Sequence, residues 1–367
     1  MIQQSFWKGK KVFITGHTGF KGSWLCLWLH SLGAEITGYS LEPPTIPSLF
    51  EQCKVNELVY SIIGDIRDYN FLSSVIKDFD PDIIFHLAAQ PLVRQSYSNP
   101  IETYETNVIG TVNLLDAVRK LTNTSSKKRA LVNITSDKCY ENKEWLWGYR
   151  EPDTLGGYDP YSNSKACAEL ATSCYTHSFF NPNNYSRHLL ALASARAGNV
   201  IGGGDWASDR LVPDCLSAIL NKKEIRIRNP QSIRPWQHVL EPLNGYISLA
   251  EKLYRDGVRY NGPWNFGPND EDVISVEGIV HLLYETWGEK EKLQILNEEQ
   301  PHEANLLKLD CSKAKSILNW KPRWNIAQSI LKVVEWTKAY QNQKDLRELC
   351  LVQITEYENA GVSVYEG

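Results

Sequence analysis

The chain contains no C-x-x-C pair. Its eight cysteines, Cys26, Cys53, Cys139, Cys167, Cys174, Cys215, Cys311 and Cys350, stand apart, so nothing in their spacing encodes a zinc site or a redox dithiol, and they are expected to be reduced thiols. Long apolar runs are missing too. No stretch approaches the roughly 18 apolar residues that a membrane span needs. Residues 1–8 lead into a strand pattern without the apolar core of a secretory signal, so a cytoplasmic location is expected. Positive charge is in deficit: 39 Lys and Arg against 43 Asp and Glu give a net charge of −4. No global field exists to hold a polyanionic duplex or an acidic lipid surface, and neither nucleic acid nor membrane is an expected partner. Internal repeats, low-complexity tracts and flexible linkers are absent as well, so the chain should behave as one rigid body. What remains is 367 residues, 42% of them hydrophobic, enough for a sizeable core and about two domains' worth of chain.

Strand and helix signals alternate through the first half. Residues 11–15 form a β-branched and aromatic run that ends at glycines, and residues 23–32 are apolar at helical spacing. Strands are predicted at 35–40, 61–63, 82–89, 130–135 and 189–195, and helices at 68–79, 101–121 and 160–179. Such alternation demands an α/β fold, a doubly wound parallel sheet with helices on both faces. After Asn199 the texture changes to glycine-, proline- and tryptophan-bearing segments with short elements, as expected of a smaller C-terminal substrate-binding region. The reading divides the chain into a dinucleotide-binding domain, 1–195, with 236–265 packing back on it through a helix at 240–253, and a substrate region made of 196–235 and 266–367.

Two constellations carry chemistry. Gly16, Gly19 and Gly22 recur at three-residue intervals between the first strand and first helix, where side chains would keep a diphosphate away from the free amides of the helix N-terminus. Tyr161 and Lys165 stand at i and i+4 on a predicted helix, one above the other, where a cation can lower the phenol's pKa and make it a usable base. The same spacing recurs at Tyr340 and Lys344, but no sheet follows there, and this second pair reads as solvated helix surface. Ser136, Asp137 and Lys138 end the fifth strand, at the carboxyl edge where such folds bind ligands. A hydroxyl, an acid and a further ionisable group exceed what alcohol oxidation requires.

The Gly-x-x-Gly-x-x-Gly loop, Tyr161-x-x-x-Lys165 and the run from Arg196 to Trp206 resemble the extended short-chain dehydrogenase/reductase family, and within it the nucleotide-sugar 4,6-dehydratases. Relatives acting on dTDP-glucose carry Thr-Asp-Glu where this chain has Ser136-Asp137-Lys138, a departure similar to the branch acting on CDP-glucose. The resemblance implies a Rossmann-like fold and NAD as cofactor. It places Gly16, His17, Gly19, Phe20 and Gly22 on the diphosphate, Ser40 at the ribose, Asp65 and Ile66 at the adenine, and Leu87 and Ala88 beside the cofactor. No carboxylate follows the second strand at 38–41, nor an Arg or Lys to pair with a 2′-phosphate. Tyr161 would take the C4 hydroxyl proton with Ser136 bonded to the same oxygen, and Lys165 would hold the phenolate and ribose. Lys138 would remove the C5 proton, provided burial or the nearby Lys165 keeps it neutral, and Asp137 would protonate the leaving C6 hydroxyl. Arg234, Asn199 and Arg210 would contact the substrate's diphosphate, and Gln90 and Arg94 the hexose. A homodimer or dimer of dimers is implied by the helices at 101–121 and 160–179. No metal role is assigned to any histidine, and His302 and Glu303 receive no role. Two competing readings remain: a nucleotide-sugar 4-epimerase, which needs no elimination acid or base, and a nonenzymatic dinucleotide sensor, which needs no intact Ser136, Tyr161 and Lys165 set. A 4,6-dehydratase on another nucleotide sugar is the alternative within the leading class.

Overall fold

The computed structural model describes residues 2–227, 229–295 and 306–361; His302 and Glu303 lie outside them. Seven strands, β1 (Lys11–Thr15), β2 (Glu35–Ser40), β3 (Tyr60–Ile63), β4 (Ile83–His86), β5 (Arg129–Ile134), β6 (Leu190–Ala197) and β7 (Gly262–Phe266), form one sheet in the order β7-β6-β5-β4-β1-β2-β3. Every neighbouring pair is parallel. The order reverses between β1 and β4, which opens a crevice at the carboxyl ends. β5 and β6 are buried along their whole length, as strands covered on both faces must be.

The longer helices among the described residues are α1 (Phe20–Ser31), α2 (Tyr69–Phe79), α3 (Gly110–Thr124), α4 (Pro160–Ser178), α5 (Leu211–Leu220), α6 (Leu240–Asp256), α7 (Val276–Trp287), α8 (Ile326–Gln341) and α9 (Leu346–Ala360). α1 starts three residues earlier than the predicted 23–32, and its residues from Gly22 to Leu29 are buried without a break. A helix resting on a sheet alone would bury one stripe. Here α9 covers the opposite side, with Trp28 Nε1 donating to Glu358 Oε1 at 2.8 Å, and Cys350, Ile354 and Tyr357 join the cluster that contains Trp24 and Trp28. α9 therefore shares the core of the sheet, although the sequence groups it with the substrate region. A separate apolar cluster unites α5, α7 and α8 through Leu216, Ile279, Leu283 and Val333.

Two predicted elements differ. β4 stops at His86, short of the predicted 82–89, because Ala88 N–H donates to the Thr15 side chain (3.2 Å) and the chain leaves the sheet. The predicted helix at 101–121 is Pro100–Tyr104, one π turn at Glu105–Ile109, and then α3. The wide turn presents Asn107, which accepts from Gln90 N–H (2.8 Å) and donates to Ser164 Oγ (2.8 Å), fastening the segment after β4 to α4.

Candidate active site

A cleft of about 480 Å³ opens over the carboxyl ends of β1, β4 and β5, between the glycine loop, residues 39–49, and residues 204–210. The glycines divide the labour. Gly16 has φ +76°, and a Cβ there would lie 2.7 Å from Ala88 N; at Gly22 a Cβ would lie 2.1 Å from Gly16 O. These two let the loop fold on itself. A Cβ at Gly19 would meet only Gly16 O, at 3.4 Å, and would otherwise stand in open space on the cleft side. No side chain caps α1, so its first amides stay available to an anion. Phe20, Ser40, Asp65, Ile66, Leu87 and Ala88 line the same cleft. Ser40 Oγ lies 2.8 Å from Thr18 Oγ1, and Thr18 donates onward to Leu41 O at 2.9 Å. The Asp65 carboxylate is held by Arg67 through Nη2 (2.6 Å) and the backbone N–H (2.8 Å), which keeps it below the usual carboxylate range.

His17 departs from its expected role. Its ring is buried, its Nε2 shares a 2.7 Å hydrogen bond with Ser61 Oγ, and it fills the space that Gly38 leaves, where a Cβ would come within 2.2 Å of the ring. Burial lowers its pKa to about 4. The side chain is a neutral strut behind the loop and does not reach the cleft.

Tyr161 and Lys165 line the cleft from the first turns of α4. Asp159 caps this helix by accepting from Ser162 N–H at 2.9 Å, and Ser96 Oγ accepts from Tyr161 N–H at 3.1 Å. Lys165 Nζ rests on Ile134 O at 3.4 Å, and burial lowers its pKa to about 8. Burial raises Tyr161 to about 12, against the pull of the Ser136 hydroxyl. Burial thus opposes the depression expected from the helical spacing, and the Lys165 ammonium lies against a carbonyl of β5.

Thr135, at the end of β5, also lines the cleft. Ser136 and Asp137 follow it, both buried. Ser136 Oγ donates to Asp137 Oδ1 at 3.0 Å and accepts from Lys138 N–H at 3.2 Å. Among the described residues Asp137 Oδ2 has no hydrogen-bond partner. Burial raises the pKa of Asp137 against the charges of Lys138, Lys21 and Arg234 and the Ser136 hydrogen bond. Lys138 is half-buried.

The expected substrate contacts divide. Arg210 lines the cleft and pairs with Asp205 at 3.0 Å. Arg94 pairs with Asp209 at 3.4 Å, tying the segment after β4 to the loop before α5. Gln90 is a correction: its amide donates to Thr103 Oγ1 (2.9 Å) and Leu92 O (3.1 Å) and accepts from Leu92 N–H (2.5 Å), so it staples its own loop and offers nothing to a hexose. Arg234 is buried and donates to Ile233 O (3.0 Å), with its charge acting on Asp137. Asn199 is half-buried beyond β6, its carbonyl taking Gln237 N–H at 3.0 Å. Neither stands in the cleft lining. The rival pair is no active site: α8 ends at Gln341, so Lys344 is not above Tyr340 on a helix. Lys344 is solvated as expected, whereas Tyr340 is half-buried and meets Trp206 edge-on at 4.8 Å between ring centroids.

Glu169 is absent from the sequence prediction. It receives Arg196 (2.8 Å), Ser194 (2.6 Å) and Thr135 (2.5 Å), all buried. Burial pushes its pKa up, but Arg196 and the hydroxyls outweigh it and hold it low. This ion pair locks α4 to β5 and β6 directly behind Lys165. A carboxylate four residues beyond Lys165, on the same helix face, was the available signal.

Residues 13–333 match the family described as GDP-mannose 4,6 dehydratase. The chain belongs to this family. Among relatives in the family's range, it is 56% identical over 360 residues to CDP-glucose 4,6-dehydratase of Salmonella typhimurium, covering 98% of this chain and 99% of that one. It is 25% identical to dTDP-glucose 4,6-dehydratase of Haemophilus influenzae, over 89% of this chain and 97% of the relative. The fold is shared with dTDP-glucose 4,6-dehydratase from Bacillus anthracis in complex with NAD, with a TM-score of 0.74 at 21% identity, covering 92% of this chain and 100% of that one. It is shared equally with UDP-glucose 4-epimerase from Thermotoga maritima with UDP-glucose, with a TM-score of 0.77 at 20% identity, covering 90% and 99%. Dehydratases and epimerases of the family thus share one scaffold, and the site must separate them. The uncapped α1 terminus and the open space at Gly19 fit a dinucleotide's diphosphate.

Proposed function

We propose that the protein dehydrates CDP-glucose to CDP-4-keto-6-deoxyglucose with NAD as a regenerated cofactor. The observation that carries this reading is Asp137, a buried carboxyl pushed toward its protonated form next to Ser136, because an epimerase needs no acid for a leaving hydroxyl. The cytidine base follows from the relative that is 56% identical.

Bound NAD supplies a hydride acceptor that is later the donor, and a positive charge in the cleft. Gly16, Gly19, Phe20 and Gly22 would hold its diphosphate, Ser40, Asp65 and Ile66 its adenosine half, and Leu87, Ala88 and Lys165 its nicotinamide half. With the positive charges of bound NAD and of Lys165 beside it favouring the phenolate over the value raised by burial, Tyr161 would accept the proton of the C4 hydroxyl while Ser136 bonds the same oxygen. The 4-ketone acidifies C5–H. Lys138 removes that proton, Asp137 protonates the departing C6 hydroxyl, and one water leaves; as the hydride is returned to C6, Lys138 would give its proton back to C5, which completes the 6-deoxy product. Arg210 meets the substrate's diphosphate as a charge-assisted donor. The product class is the precursor of deoxysugars used in lipopolysaccharide O-antigens.

The exposed apolar residues Ile101, Tyr104, Ile109 and Leu170 on the 100–124 and 160–178 helices support a homodimer formed through these helices. Among the described residues no helix is long and apolar enough to cross a membrane; the nucleotide substrates support a cytoplasmic enzyme.

Incubation with NAD and a panel of CDP-, dTDP-, UDP- and GDP-glucose, followed by mass analysis, tests the reading. CDP-glucose should lose one water without accumulation of NADH. A product of unchanged mass, or NADH formed in step with turnover, overturns it.

A further inference from the structure

Lys21 is the second residue of α1, between Gly19 and Gly22, and lines the cleft. Its sign is wrong for its place. The first turn of a helix favours acidic side chains, because the unpaired amides and the macrodipole are positive there. Its neighbours add to the cost: the charges of Arg210 and Lys165 act against it. Two carboxyls act in its favour, but Asp205 is already paired with Arg210 at 3.0 Å, and Asp137 is buried and pushed toward neutrality. Among the described residues the Lys21 ammonium makes no hydrogen bond and no ion pair. A half-buried cation beside two others, without a partner of its own, is stabilised by an anion arriving in the cleft.

We propose that Lys21 is the cation that grips the diphosphate of the bound dinucleotide, supplementing the backbone amides of the glycine loop. The inference rests on the NAD reading above. The two diphosphates of the reaction share one chemistry, and the position of Lys21 selects the cofactor's, since its side chain springs from the same turn whose glycines leave room for a ligand. Lowered to a pKa of about 8 by burial, the ammonium regains full charge when the anion binds.

The test is equilibrium binding of NAD, of ADP-ribose and, separately, of CDP-glucose, read by tryptophan fluorescence, since Trp206 lines the cleft. Lys21→Met should bind NAD and ADP-ribose about tenfold to a hundredfold more weakly, the loss typical of a charge-assisted contact. Lys21→Arg should restore most of the affinity. The loss should shrink as salt rises, and CDP-glucose binding should change little. Unchanged NAD affinity in Lys21→Met overturns the inference and leaves the cofactor reading standing. A loss confined to CDP-glucose overturns it as well, moving the ammonium to the other diphosphate. Wild-type protein that binds no NAD removes both. A second measurement uses no variant: ADP-ribose should slow reductive methylation of Lys21 in the wild-type protein, read by peptide mass, and undiminished labelling counts against the contact.

Discussion

Asp137 and Glu169 are both buried carboxyls whose surroundings push them to opposite charge states, the one toward its acid and the other toward its anion. On the proposed mechanism such a pair divides labour: Glu169 fixes geometry through Arg196, and Asp137, biased toward its acid by burial, is the proton donor. Replacing Tyr161 with Phe keeps the ring and removes the proposed proton acceptor, so single-turnover reduction of bound NAD should vanish; undiminished reduction would show another base. Replacing Lys138 with Met keeps the stem and deletes the proposed C5 base. That variant should still reduce bound NAD with CDP-glucose, yet form dehydrated product about 10²- to 10⁴-fold more slowly and exchange C5–H with deuterated solvent slowly. Dehydration at the normal rate would place Lys138 outside the chemistry. Spacing together with position relative to the strands made Tyr161, Lys165 and the glycine triple legible as cleft residues, because each pattern reflects helix geometry or a loop's need for room. His17 and Gln90 were not legible. Their directions depend on what lies beyond their own loops, namely the missing Cβ of Gly38 and the hydroxyl of Thr103.

Alternation of strand and helix was readable at the level of the element because buried parallel strands and their covering helices have different apolar periods. The π turn at Glu105–Ile109 left no such period, since it answers a tertiary demand. Gly110, at its end, packs so closely on Ile66 that an added Cβ would stand 2.6 Å from Ile66 Cγ2. Gly→Ala inside a helix ordinarily stabilises by about 0.5–1 kcal/mol. Here overpacking against a stiff, β-branched side chain of the cleft wall should reverse the sign and cost about 1–3 kcal/mol. Denaturant unfolding of Gly110→Ala measures it, and a stabilised variant would show that Ile66 gives way freely.

At the scale of the molecule, α6 and the C-terminal segment are joined through Glu241. Its carboxylate accepts from Tyr357 OH (2.6 Å) and from the backbone N–H of Arg323 and Trp324 (3.0 and 2.8 Å), with the Arg323 charge also acting on it. Burial outweighs these contacts and raises its pKa to about 7. The folded state therefore holds this proton more tightly than the unfolded chain, and stability is lost as pH rises from about 4.5, the ordinary value, to about 7. Over that interval the wild type should lose more unfolding free energy than Glu241→Gln, which keeps the shape and cannot ionise; parallel pH profiles would exclude Glu241 as the source. The same C-terminal segment closes over α1, with Tyr357 meeting Trp28 edge-on at 5.7 Å. α1 leaves the ribosome long before α9, so Trp28 waits for its contacts with Tyr357 and Glu358 while the residues between are made. A nascent chain stalled before Leu346 therefore carries an open apolar seam along its nucleotide-loop helix, which makes it a client for chaperones and leaves it unable to settle as a free-standing half.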